Sequence, residues 1–124
     1  MIAHTTLHVS HYEKSKTFYI KVLATLGYEN NMEEGEAAGF CDGKSTDLWI
    51  VREEIIVPTH LAFEASRQDQ VEAFYQAALS AGAKDNGAPG YRDYWPGYYA
   101  AFVLDPDGHN IEAVWYDYEK ANNN

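Results

Sequence analysis

Alternating and helical spacings of apolar residues divide the chain into an ordered series of elements. Ala3, Thr5, Leu7 and Val9 share one face of an extended segment, and His4, Thr6 and His8 share the other, the period of two that a strand imposes. Ser10-x-x-Glu13 follows as a capping-box pattern, in which a hydroxyl and a carboxylate satisfy free N–H groups at a helix start. Phe18, Tyr19, Val22, Leu23 and Leu26 then recur at helical spacing as far as Gly27, so the pattern predicts a helix there. Three strands are predicted near 28–33, 37–42 and 47–52, parted by Gly35 and by Asp42-Gly43, residues that favour turns.

The same order then recurs. A strand over 60–65, a second cap at Ser66-x-x-Asp69 and a helix over 70–81 presenting Val71, Phe74, Tyr75, Ala78 and Leu79 lead to Gly82. Residues 84–96, rich in Gly, Pro, Asp and aromatics, predict a strand and a long loop of the kind that often carries function. Strands over 98–104 and 110–116 flank the turn Asp105-Pro106-Asp107-Gly108. Shifting the sequence by 56 places sets His4 on His60, Ser10 on Ser66, Phe18 on Phe74, Tyr19 on Tyr75 and Leu23 on Leu79. Two βαβββ modules, near 1–53 and 59–118 and joined at Ile56-Val57-Pro58, therefore form one α+β domain over 1–124.

Composition narrows the partners. Nineteen acidic and nine basic residues leave a formal charge of −10, which repels phosphate backbones and anionic lipid, so neither nucleic acid nor membrane is expected. No apolar stretch nears the ~20 residues of a membrane span, and no secretion signal is visible at the start. The single cysteine, Cys41, cannot pair within the chain. It is expected as a buried small hydrophobe in a cytoplasmic protein.

Candidate chemistry lies in the polar residues that the apolar pattern leaves over. His4 and His60 hold equivalent places on the two opening strands, opposite the helix-packing face. Glu112 sits on a strand with apolar neighbours on both sides, where a carboxylate must be paired, ligated or exposed. Two histidines and a carboxylate would suit a divalent metal with open positions, if the sheets curve round a shared cavity. His8 and Glu64 form a second equivalent pair, which either lines the cavity mouth, serves as acid and base, or pairs internally and only satisfies the sheet. His11 and His109 are expected to be solvent or turn residues. Tyr91-Arg92-Asp93-Tyr94-Trp95-Pro96-Gly97-Tyr98-Tyr99 is dense enough in aromatics to close over a small ligand.

These segments resemble the vicinal oxygen chelate superfamily of glyoxalase, bleomycin resistance and extradiol dioxygenase proteins. The matches are His4-Thr5-Thr6-Leu7-His8-Val9-Ser10, Ser15-Lys16-Thr17-Phe18-Tyr19, His60-Leu61-Ala62-Phe63, KDNGAPG from Lys84, PGYYAAFV from Pro96 and DPDGHNIEAV from Asp105. The resemblance implies pseudo-symmetric pairing of the modules into an open, cup-like mixed sheet around a divalent metal (Zn, Ni, Mn or Fe), commonly in homodimers. By position the metal ligands fall on His4, His60 and Glu112, with Glu112 also the catalytic residue. A fourth ligand of glyoxalase I type would fall on Trp49 or on Asp47, which alternation puts on one strand face.

Around such a centre His8, Trp49, Glu64, Arg92, Tyr94, Trp95, Tyr98 and Tyr99 are candidate substrate residues. The expectation is a glyoxalase-like enzyme acting on a small oxygenated substrate, of lyase or isomerase type rather than dioxygenase. The alternative is a binding protein of the bleomycin-resistance type without catalysis. Basic residues near the loop are sparse, Arg92 and Lys84 being the candidates, which counts against a phosphonate substrate.

Overall fold

The computed structural model describes residues 1–123. Strand β1 (Thr5–Val9) leads into helix α1 (Tyr12–Ala24), followed by β2 (Glu29–Glu34), β3 (Ala37–Cys41) and β4 (Thr46–Arg52). The second module runs β5 (His60–Glu64), α2 (Gln68–Ser80), β6 (Lys84–Arg92), β7 (Tyr98–Leu104) and β8 (Asn110–Tyr116), and a short α3 (Tyr118–Asn122) ends it. Both long helices are 13 residues and keep the 56-place offset of the repeat. Each module builds its own open four-stranded sheet, β1-β4-β3-β2 and β5-β8-β7-β6, here sheet A and sheet B. In both, the opening strand lies parallel to the closing one and the other pairs are antiparallel. A crossover helix between parallel strands is the connection that such pairing requires.

One apolar core serves both modules. Leu7, Val9, Leu48 and Ile50 from sheet A, Tyr99, Ala101, Val103 and Ile111 from sheet B, and Phe18, Leu23, Val71 and Phe74 from the helices belong to a single buried cluster. The two helices also touch one another. Each sheet therefore turns its inner face to this core and its outer face away from it. Alternation puts Thr6 and His8 on the outer side of sheet A, with His4 one residue before β1, and His60 and Glu112 on the outer side of sheet B.

The modules are also fastened by polar contacts at the turn before β8. Tyr19 OH donates to buried Asp105, whose Oδ1 accepts from the N–H groups of Asp107 and His109 at 2.9 Å each. His109, expected in solvent or in a turn, closes this turn and is 1% exposed. Its Nδ1 accepts from Thr59 N at 3.0 Å and its Nε2 donates to His8 O at 2.8 Å. That pair of contacts selects the neutral tautomer with the proton on Nε2.

Several local expectations change. Ser10 caps no helix: its hydroxyl and N–H both donate to Asp107, and the N-cap position falls on His11 without a side-chain bond. Helix α2 begins at Gln68, with Arg67 at its N-cap, because Gln70 Oε1 reaches back to accept from Ser66 N at 2.7 Å. Residues 84–92 are strand throughout, so the predicted long loop shrinks to the five residues 93–97. Cys41 is only half-buried, at the end of β3.

Candidate active site

The outer face of sheet B gathers most of the candidate residues. Strands β5 and β8 are parallel neighbours with Ala62 opposite Glu112, so His60 stands one pleat away on the same face. His60 Nε2 donates to Glu112 Oε1 at 2.8 Å. From β7, Tyr98 OH donates to the other oxygen, Oε2. Glu112 is 1% exposed while the His60 side chain is 54% exposed, so the pair has one buried end and one open end. A buried carboxylate held by two donors meets the requirement that a buried charge be hydrogen-bonded. Burial first, and then the bond to Glu112, push the Tyr98 phenol above its ordinary range. It therefore stays protonated at neutral pH and acts as a donor, not as a base.

Around this trio the face is apolar and aromatic. Tyr98, Ala100, Phe102 and Val114 form a second buried cluster on the side away from the main core, with Tyr116 packed on it. Tyr94 and Trp95 meet the Tyr98 ring edge-on at 5.0 and 5.1 Å, and Trp95 stacks on Tyr116 at 5.6 Å. The guanidinium of Arg92 folds back along β6 and lies 5.4 Å from the centre of the Phe102 ring. His60 approaches that same ring at 6.2 Å. His60, Glu112, Tyr98, Tyr94, Trp95 and Arg92 thus share one face.

The remaining candidates lie elsewhere. Tyr99, one residue from Tyr98, points to the opposite face, sits in the main core and donates to Glu72 at 2.7 Å. His8 lies over a shallow depression with Arg52 and Glu53, whereas Glu64 borders a different cleft, so this equivalent pair does not meet. That second cleft, about 660 Å³, also holds His4, Tyr28 and Asp47. Trp49 covers Gly39 on the outer face of sheet A, where a Cβ on Gly39 would come within 3.1 Å of the indole.

Asp47 and Trp49 do not share a face, contrary to the simple alternation. Phe40 pairs with Leu48 but Cys41 with Thr46, leaving Asp47 as an extra residue on β4. Such a bulge re-aims the side chain it adds. Asp47 Oδ2 accepts from Tyr28 OH at 3.1 Å, beside the Tyr28–Phe63 contact at the core edge, and its buried Oδ1 has no partner.

His4, His60 and Glu112 therefore do not converge within one chain. Among the described residues no three His, Cys, Asp or Glu side chains are close enough to hold a metal ion. His4, just before β1, borders the cleft with Tyr28 and Asp47, and neither His60 nor Glu112 lines it. His60 and Glu112 alone fit a metal as two adjacent donors, one nitrogen and one oxygen, with an exposed edge beside them. Tyr98 as the second partner of Glu112 had no signal beyond its place on an alternating strand. The fold-back of Arg92 was foreshadowed by Gly87 and Gly90, which leave space along β6.

A sequence model of the Glyoxalase/Bleomycin resistance protein/Dioxygenase superfamily matches residues 1–113, and the chain belongs to that superfamily. Among solved structures it is similar to a glyoxalase/bleomycin resistance protein from Albidiferax ferrireducens, at 28% identity and TM-score 0.80 over 91% of this chain and 96% of that one. A family enzyme from Burkholderia phytofirmans matches at 19% identity and TM-score 0.73, covering 93% and 98% of the two chains. A glyoxalase-related enzyme from Fulvimarina pelagi gives 18% identity and TM-score 0.73 over 93% and 87%. These last two likenesses concern the fold alone. No curated protein matches the sequence. No helix among the described residues is long and apolar enough to cross a membrane.

Proposed function

We propose that this chain is a cytoplasmic metalloenzyme of glyoxalase-like lyase or isomerase type, acting on a small oxygenated substrate as a homodimer. The observation that carries the proposal is the His60–Glu112 pair, bonded at 2.8 Å and opening onto an aromatic-lined sheet face. A bound divalent ion would act there as a Lewis acid toward neighbouring oxygens of the substrate. Glu112 offers Oε1 to such an ion, because Tyr98 already occupies Oε2. His60 offers Nε2 once the proton shared with Glu112 has left. Tyr98 holds the carboxylate in place, and Tyr94 and Trp95 pack against its ring.

The third ligand, His4, stands one residue before β1 and apart from this pair, so in this reading a second copy supplies it. A dimer that sets sheet A of one copy against sheet B of the other brings His4 to His60 and Glu112. Two half-sites of this kind would also give each module pair a cavity that neither sheet encloses alone.

The test is metal content together with complementation. Wild-type protein reconstituted with divalent ions and then desalted should retain close to stoichiometric metal, and Glu112→Gln should lose most of it. Mixed and refolded His4→Ala and Glu112→Gln chains should recover sites that neither variant has alone, since half of the mixed dimers' sites draw only on unmutated residues. Absence of metal from reconstituted wild type would sink the enzyme reading. The exposed Trp95 over Tyr116 favours one second reading, a metal-free binder of cationic aromatic ligands. Wild-type metal-free protein that binds bleomycin, with Trp95 fluorescence quenched, would support it.

A further inference from the structure

We propose that Arg92 is the anchor for a carboxylate on the ligand, so that the outer face of sheet B takes a small monoanionic carboxylic acid. The proposal deepens the reading of that face as the substrate-binding face and rests on it. Arg92 Nη1 donates to Gly90 O at 2.9 Å and Nη2 to Ala88 O at 2.7 Å. A guanidinium carries five N–H donors in a rigid plane, and two are engaged, leaving three. No carboxylate pairs with Arg92 among the described residues, although the chain carries a formal charge of −10. A half-buried cation without an anionic partner beside the Phe102 ring is suited to recruiting one from the ligand.

The strand is shaped for this posture. A Cβ on Gly90 would stand 3.1 Å from Nη1, and one on Gly87 would stand 3.1 Å from Nη2 and 3.0 Å from Phe102 Cδ1. Both glycines leave room for the guanidinium to lie flat along β6 and reach the ring that His60 also approaches. The folded-back arm is held by the strand's own carbonyls, so little rotamer freedom remains to be lost on binding. Charge count selects the anion. One guanidinium balances a carboxylate, whereas a phosphonate dianion would carry excess charge onto a face that also holds Glu112.

The test uses pyruvate, its neutral methyl ester and methylphosphonate as probes. Each is titrated into ¹⁵N-labelled full-length protein, metal-free and zinc-loaded. The Arg92 Nε–Hε resonance is assigned by its loss in Arg92→Gln. Pyruvate should shift that resonance with a dissociation constant in roughly the millimolar range. Arg92→Gln should weaken pyruvate about tenfold or more, the loss expected for a charge-assisted pair. The ester should bind wild type and Arg92→Gln alike. Gly90→Ala keeps the charge but crowds Nη1, and should weaken pyruvate severalfold. Thermal unfolding and affinity for zinc alone should match wild type in both variants. Equal pyruvate affinity in wild type and Arg92→Gln, an unmoved Arg92 resonance, or tighter binding of methylphosphonate than of pyruvate would each overturn the proposal. Its failure is separable from that of the metal reading. Zinc retained while pyruvate ignores Arg92 removes only this inference; pyruvate held at Arg92 in protein that takes no zinc removes only the other.

Discussion

Two buried carboxylates, Glu112 and Asp105, show how differently the same group is used. Glu112 is held by Tyr98 and His60 on the face away from the main core, with His60 left open to solvent. Asp105 is enclosed, accepting from Tyr19 OH and from two backbone N–H groups, and joins the second module's last turn to α1. Burial outweighs those bonds, and the Asp105 carboxyl titrates above its ordinary 3.8. The folded state therefore holds this proton more tightly than the unfolded state does. The contribution from Asp105 is complete below pH 3.8 and declines as pH rises through the folded value. Asp105→Asn removes that dependence while keeping an acceptor for Asp107 and His109. Its stability deficit against wild type should narrow as pH is raised from about 3 to about 6, measured by denaturant unfolding at each pH. A deficit that widens over the window would reverse the assignment. Asp105 itself was visible in the sequence only as the first residue of a turn. Its burial depends on Tyr19, 86 positions away.

At the scale of elements, periodicity located both helices and most strands because it reports on one-sided burial, which is a local pattern. Helix starts were less legible. The Ser10-x-x-Glu13 pattern suits a capping box, yet Asp107 from the other module takes the Ser10 hydroxyl. A long-range charged acceptor thus displaces a local one of similar strength. Ser10→Ala and Asp107→Ala should accordingly be coupled, with the double variant less destabilised than the sum of the singles by about 1 kcal/mol. Glu13→Gln should change stability by less than about 0.5 kcal/mol. Additive losses at Ser10 and Asp107 would show that the serine acts within its own helix after all. The bulge at Asp47 escaped the sequence for a related reason. Alternation assumes one residue per pleat, and the register slip between Cys41–Thr46 and Phe40–Leu48 is a property of the pair, not of β4 alone.

For the whole molecule, ten tyrosines give the fold a dependence on alkaline pH. Tyr19, enclosed and beside Asp105, is raised far above its ordinary range, and burial also raises Tyr12, Tyr28 and Tyr98. A phenol raised in the fold contributes fully below its unfolded value of 10.0, and that contribution is lost as pH rises toward the folded value. Tyrosinate absorbance and loss of helical circular dichroism should therefore rise together above about pH 10 for these groups. Full ionisation of all tyrosines in a still-folded protein would contradict it. The sequence by itself determined the duplicated βαβββ order, the superfamily resemblance and the ranking of His4, His60 and Glu112 above the other polar residues. Repeats, strand alternation and helical spacing are written locally along the chain. Only the tertiary structure decided that both modules share one core through their helices and inner sheet faces, and that His4 stays apart from the His60–Glu112 pair. That outcome depends on which surfaces bury each other across residues 56 or more apart, and no local pattern carries it.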